Sequence, residues 1–231
     1  MKYITKMLDI IFPPKCAGCN KISRLICADC LSEITRVSMQ DCARCKTPPH
    51  SCTCKNIRYI EELVFPYFYY GEKLKFAIYK LKKANLYYIN EFFAKGMYNS
   101  AESGDKINLE EINFIACTPR ARKSVSIYGY NQSENLAKLI AEYSGIKFEN
   151  AVKLNRFTAP QQEQKTLGRN DRFLNVQGKF RANKKIDIAG KNIILIDDVA
   201  TTGATLSECA RVLKDAGAGK IYALCAVSAW N

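Results

Sequence analysis

The stretch Ile193-Ile194-Leu195-Ile196-Asp197-Asp198-Val199-Ala200-Thr201-Thr202-Gly203-Ala204-Thr205 decides the fold. Its first four residues are apolar and mostly β-branched, the composition of a strand buried on both faces of a parallel sheet. Two acids sit at the carboxyl end of that strand. A Thr/Gly loop follows and leads into a helix beginning near Ala204. In open α/β sheets, ligands bind outside the carboxyl ends of the strands. The backbone N–H groups of such a loop, with the helix N-terminus behind them, make a cradle for phosphate. Thr201, Thr202 and Thr205 add hydroxyl donors, and Gly203 lets the backbone come close. The paired acids are wrongly placed for a phosphate but well placed for sugar hydroxyls beside it.

Working outward, the residues after Thr205 continue as helix, Gly-rich turn and strand. Upstream, INFIACTP is a buried strand running into a Pro-containing turn, and residues 131–143 form a helix with Leu136, Leu139 and Ile140 inward. GEKLKFAIYKLKKA begins with Leu74, Ile78 and Leu81 on one helical face and lysines on the others. LYYINEFFAKGMYNSA is a second helix. Residues 57–70 are strand-like, and residues 153–181 form a long polar loop or extended hairpin. Strands alternating with helices predict an α/β fold with a mainly parallel sheet flanked by helices. No internal repeat is present in this part.

The 231 residues carry enough apolar material, 48%, for at least one core. Lys+Arg 35 against Asp+Glu 22 leaves a net charge of +13, which points toward polyanions. No apolar run approaches the ~20 residues needed to cross a bilayer. The first fourteen residues do not read as a secretory signal. They suit a short amphipathic helix, packed on the next domain or lying at a membrane surface. Eight of the 11 cysteines fall between Cys16 and Cys54, and three are scattered: Cys117, Cys209 and Cys225. Cys16-x2-Cys19 and Cys27-x2-Cys30 have the spacing of two knuckles closing a four-cysteine zinc site. Cys42-x2-Cys45 and Cys52-x1-Cys54 would close a second, with His50 an alternative ligand. Disulfides or free core thiols are the other readings of this block. Ribbons this small need a metal to fold, so both zinc ions are expected to be structural. The expected organisation is an N-terminal helix and double zinc ribbon over residues 1–55 and an α/β domain over residues 56–231.

The DD-x2-TTG-x-T segment resembles the phosphoribosyl pyrophosphate (PRPP) motif of type I phosphoribosyltransferases. The resemblance extends to RKSVSIYGYNQSENLA (residues 122–137) and to Thr158-Ala159-Pro160-Gln161-Gln162, Leu167, Arg169, Arg172 and Asn175. With the N-terminal cysteine block, the whole chain is similar to the ComF family, specifically its ComFC-type competence proteins. That resemblance implies a type I phosphoribosyltransferase fold preceded by a double zinc ribbon. It implies that Asp197 and Asp198 hold the ribose hydroxyls, and that Ala200, Thr201, Thr202, Gly203, Ala204 and Thr205 bind the 5′-phosphate. Thr118, Arg120, Arg122 and Lys123 become candidate pyrophosphate contacts, with Mg²⁺ riding on the ligand. Lys165, Arg169 and Arg172 lie where relatives carry a flexible hood, although a solvated loop explains their charge equally well.

Three functions follow as expectations. The first is a PRPP-binding protein of natural transformation and DNA uptake that contacts incoming single-stranded DNA. Lys73, Lys75, Lys80, Lys82 and Lys83, interleaved with aromatics, are its candidate DNA contacts. The second is an active phosphoribosyltransferase on a nucleobase-like acceptor. No general base or base pocket can be assigned from the residues, so turnover stays open. The third is a zinc-ribbon adaptor with a vestigial pocket that docks other uptake proteins. A cytoplasmic location is expected, with peripheral contact to the inner membrane face compatible with it.

Overall fold

The computed structural model describes residues 13, 15–23, 26–38, 57–68, 71–103, 106–120, 122–155 and 176–228. Among them the elements are α1 (Ala28–Ser38), β1 (Leu63–Val64), β2 (Tyr67–Phe68), α2 (Glu72–Lys83), α3 (Tyr87–Glu102) and β3 (Phe114–Cys117). They continue with α4 (Arg122–Tyr128), α5 (Gln132–Ser144), β4 (Val152–Leu154), β5 (Phe180–Ala182), β6 (Ile193–Ala200), α6 (Ala204–Asp215) and β7 (Ile221–Ser228).

The main sheet runs β1-β7-β6-β3, with β2 also on β7, and every pairing is parallel. β6 lies at its centre between β3 and β7, so both of its faces are covered. Its side chains alternate accordingly. Ile194 and Ile196 join the core under α2, α3 and α5, while Ile193 and Leu195 join the core under α6. All eight residues of β7 are buried, which matches the unbroken apolar reading of a two-faced parallel strand.

The helices bury the faces that their spacing marks out. In α2, Leu74, Ala77, Ile78 and Leu81 are buried, the i, i+3, i+4, i+7 stripe. Glu72 stands in its first turn and Lys80, Lys82 and Lys83 in its last, the arrangement the helix dipole favours. In α6, Leu206, Cys209, Ala210 and Leu213 face the sheet. Cys117, Cys209 and Cys225 are all buried core thiols.

One local feature differs from the sequence reading. The strand expected to end before the acids extends through them: β6 pairs with β7 as Asp197↔Cys225, Val199↔Val227 and Ala200↔Ser228. Ladder bonds are made by the backbone, so an available partner strand carries β6 past the point where its side chains turn polar. The polar 153–181 segment is anchored by an antiparallel hairpin, with Val152 opposite Ala182 and Leu154 opposite Phe180.

The cysteine knuckle is not a separate bead. Cys16, Ala17, Ile26, Cys30 and Ile34 belong to the same apolar cluster as Leu74, Ile78, Phe93 and Met97. No helix among the described residues is long and apolar enough to cross a membrane.

Candidate functional site

The site forms where β3 and β6 end side by side. Parallel pairing of β3 with β6 brings the turn after β3 against the acids of β6. Thr118 N–H donates to the Ile196 carbonyl at 3.0 Å. The Thr118 hydroxyl then donates to Asp197 Oδ1 at 2.8 Å. The Ser133 hydroxyl, from the first turn of α5, and the Asp198 N–H donate to the same oxygen at 3.1 and 2.9 Å. Burial, reinforced by the Asp198 carboxylate alongside, pushes the Asp197 carboxyl up to about 6, against the pull of these three donors. Groups whose ionisation is displaced this way concentrate at functional sites.

Asp198 faces the opposite side. Its Oδ2 lies 3.5 Å from Lys82 Nζ, and its side chain is 16% exposed. Arg120, the expected pyrophosphate contact, folds back over Tyr128 and Tyr130, with its guanidinium 4.8 and 5.7 Å from the ring centres. It donates to the Tyr130 carbonyl at 3.1 Å and to the Lys82 carbonyl at 3.4 Å. Gln132 donates to that Lys82 carbonyl at 2.7 Å, and the Tyr130 hydroxyl reaches the Leu81 carbonyl. The last carbonyls of α2 are thereby capped by side chains from the turns flanking α4 and from the first residue of α5.

The loop from β6 to α6 has the expected shape. Gly203 sits at φ +74 as the residue before α6, a conformation glycine adopts without strain. A Cβ there would lie 2.6 Å from Ile57 Cδ1. Gly203 is therefore also required by packing against a residue far away in the chain, a reason the local sequence does not display. The Thr202 hydroxyl accepts from the Ala204 N–H at 3.4 Å. Thr201 is exposed, and Thr202 and Thr205 are half-buried. A cavity of about 600 Å³ opens beside the turn at 118–120, walled by Arg120, Asn131, Glu134, Asn135, Lys153 and Arg181.

Behind the loop, Glu208 of α6 holds the base of the hairpin. It accepts from the Gly178 N–H at 2.8 Å and is paired with Arg211 at 2.7 Å. The hydrogen bonds from Arg211 hold its carboxyl below the usual range despite burial.

The first cysteine quartet converges. The Sγ atoms of Cys16, Cys19, Cys27 and Cys30 all lie within 4.8 Å of one another, and Cys19 and Cys27 are 3.6 Å apart. A tetrahedral zinc with Zn–S near 2.3 Å needs sulfur edges of roughly 3.8 Å, so the quartet fits the ion. The N–H groups of Gly18 and Cys27 point at Cys16 Sγ, each at 3.3 Å. Burial opposes the Cys16 thiolate, but these donors and the Cys19 N–H outweigh it and bring Cys16 down to about 6. Lys80 completes the knuckle, donating to the Cys16 carbonyl at 2.9 Å and to Asn20 Oδ1 at 2.5 Å.

The structure thus brings Thr118, Asp197, Asp198 and the 200–205 loop together. Arg122 and Lys123 have backbone in α4, but their side chains lie outside the described residues. Lys165, Arg169 and Arg172 lie outside them too, as do Cys42, Cys45, Cys52, Cys54, His50 and the N-terminal amphipathic segment. Sequence reasoning missed Ser133 as a partner of Asp197 and Lys82 as a partner of Asp198. Ser133 lies inside the segment that carries the family resemblance, which was its one available signal.

The described residues thus form a parallel α/β sheet with acids and a Thr/Gly loop at the end of its central strand, joined to a cysteine knuckle able to hold zinc. Residues 131–229 match the phosphoribosyl transferase domain family. The chain is a homologue of competence protein F of Haemophilus influenzae, 26% identical over 217 residues, which span 89% of this chain and 86% of that protein. It is 31% identical over 98 residues to the DNA utilization protein YhgH of Escherichia coli, 42% of this chain and 41% of that one. A shorter match, 48% over 42 residues, joins it to the ribose-phosphate pyrophosphokinase of Methanopyrus kandleri, covering 18% of this chain and 14% of the relative.

Proposed function

We propose that this protein binds PRPP with Mg²⁺ and acts in the uptake and use of transforming DNA, contacting the incoming single strand. The hydrogen bond from Thr118 to Asp197 carries the reading, because it joins the two loops that a phosphoribosyl pyrophosphate must bridge. In this reading Asp197 and Asp198 orient the ribose hydroxyls. Ala200, Thr201, Thr202, Gly203, Ala204 and Thr205 cradle the 5′-phosphate. Thr118, Arg122 and Lys123 are the proposed pyrophosphate contacts, joined by Arg120 once its guanidinium leaves Tyr128 and Tyr130, and Lys165, Arg169 and Arg172 belong to the hood over it. Mg²⁺ travels on the pyrophosphate and screens its charge. The two zinc ions are structural, held by the quartets of Cys16 and Cys42. The competence and DNA-utilization relatives support the biological setting, in which other uptake proteins and the inner membrane face are neighbours.

A second reading, turnover, draws on the cavity of about 600 Å³ beside the pyrophosphate turn. Its amide and charged walls offer space for an acceptor. The acceptor would attack C1′ of the ribose as pyrophosphate leaves, with cationic side chains stabilising the departing charge.

Thermal melting with Mg²⁺-PRPP tests binding, since a ligand specific to the folded state stabilises by about 2.7 kcal/mol at a hundred times its Kd. The expected outcome is a rise of several degrees in the wild type and none in Asp198→Asn. An equal rise in the variant removes the ribose assignment. Pyrophosphate release from PRPP, assayed with and without nucleobases and oligonucleotides, decides between binding and turnover.

A further inference from the structure

Resting on the single-strand contact proposed above, we propose that the groove between the cysteine knuckle and α2 is its binding site for single-stranded nucleic acid. Phe76 and Tyr79 supply the base-stacking surface, and Lys73, Lys75 and Lys82 face the phosphates. The groove measures about 780 Å³ and runs between Gly18 to Asn20 of the knuckle and the outer face of α2. Phe76 and Tyr79 stand three residues apart on that helix and so project from one side of it. Neither is used by the core, which α2 fills with Leu74, Ala77, Ile78 and Leu81. Tyr79 is 58% exposed. Large aromatics left out of a core and gathered in a groove mark a binding surface.

The charges select the occupant. Three of the five lysines of α2 already have partners: Lys80 is bonded to the knuckle with its ammonium 4.9 Å from the centre of the Phe76 ring, Lys83 rests on Tyr128 through a hydrogen bond and its ring, and Lys82 pairs with Asp198. Lys73, Lys75 and Lys82 line the groove, against Glu72 alone among the acids lining it. An aromatic floor with a cationic rim suits a strand whose bases are unpaired, because those bases can leave their own stack for Phe76 and Tyr79. A duplex offers only its phosphates, and an acidic peptide offers charge without flat π faces.

Lys82 belongs to both sites. It lines the groove, and its Nζ is 3.5 Å from Asp198 Oδ2. On the proposed reading of Asp198 as a ribose-hydroxyl partner, a bound sugar phosphate competes for that carboxylate and releases the ammonium toward the groove. The two ligands then favour each other, by the same factor in both directions.

Fluorescence anisotropy of a labelled oligothymidylate with the full zinc-loaded chain tests this. Tyr79→Ala and Phe76→Leu are each expected to weaken binding roughly five- to a hundredfold, from the worth of one stacked base. Lys75→Gln is expected to reduce the salt slope by about 0.7. An oligouridylate of equal length reports whether the groove distinguishes DNA from RNA, and binding of either supports it. Melting temperatures confirm that each variant is folded. Mg²⁺-PRPP is expected to tighten strand binding in the wild type and leave Lys82→Gln unchanged. Full affinity in both aromatic variants, or equal binding of a duplex, overturns the groove while leaving a DNA role at another face. No strand binding at low salt overturns the groove and the proposed DNA contact together. Strand binding that depends on the aromatics but ignores PRPP overturns the Lys82 link.

Discussion

Asp197 concentrates the chemistry of the site at a single carboxyl. Three donors converge on one of its oxygens, yet burial and the neighbouring Asp198 still raise it to about 6. A carboxyl whose folded-state pKa exceeds its unfolded value binds protons preferentially in the folded chain. Its stabilising protonation is present below the ordinary value of 3.8 and is lost as pH rises to about 6. Asp197→Asn keeps an oxygen for Thr118 and Ser133 and removes the buried charge. Calorimetry from pH 4 to 8 is expected to show the variant more stable than wild type above pH 6, by on the order of 2 kcal/mol, with the gap closing toward pH 4. A gap independent of pH would dismiss this account. The same substitution is expected to abolish PRPP binding, as at many sites where function and stability conflict. The position of Asp197 in the sheet was legible from its place after four apolar residues. Its partners were not, because Thr118 lies 79 residues away and Ser133 lies 64 away.

At the scale of elements, α6 anchors the hairpin from which the polar 156–175 segment departs. Glu208 is its fastening point, buried and bonded to both Arg211 and the Gly178 N–H. Glu208→Gln weakens one charged pair and is expected to cost about 1–3 kcal/mol. Hydrogen exchange at the Gly178 amide should rise, while protection in β6 stays unchanged. Because Arg211 lowers the Glu208 pKa, the wild-type contribution is present above the ordinary carboxylate value and lost as pH falls below it. The variant lacks that acid-side loss. The helical faces of α2 and α5 were legible because apolar side chains at a 3.6-residue period must share one face. The length of β6 was not, because its last residues are held by a partner strand rather than by their own side chains.

Over the whole molecule, the knuckle and the α/β layers share one apolar cluster in which Cys16 and Cys30 sit beside Leu74 and Ile78. On the proposed zinc assignment, removing the ion from the first quartet leaves clustered sulfurs repelling or protonated, so its effect should pass into α2. Chelation is expected to lower the melting temperature of the entire chain in one transition and to expose α2 amides to exchange. A separate low-temperature transition, with α2 protection intact, would show instead that the knuckle unfolds alone. Elemental analysis is expected to find about two zinc ions per chain, and a value near one would remove the second quartet.

The sequence by itself determined the α/β class, the strand-loop-helix around Gly203, the first cysteine quartet and the helical faces. Each of these is written in spacing, since period, knuckle distance and loop composition act over a few residues. The tertiary structure alone decided which groups meet: Thr118 and Ser133 on Asp197, Lys82 on Asp198, Lys80 on the knuckle and Ile57 against Gly203. Those contacts join residues distant in the chain through the order of a parallel sheet. A local pattern carries no record of which strand ends will lie side by side.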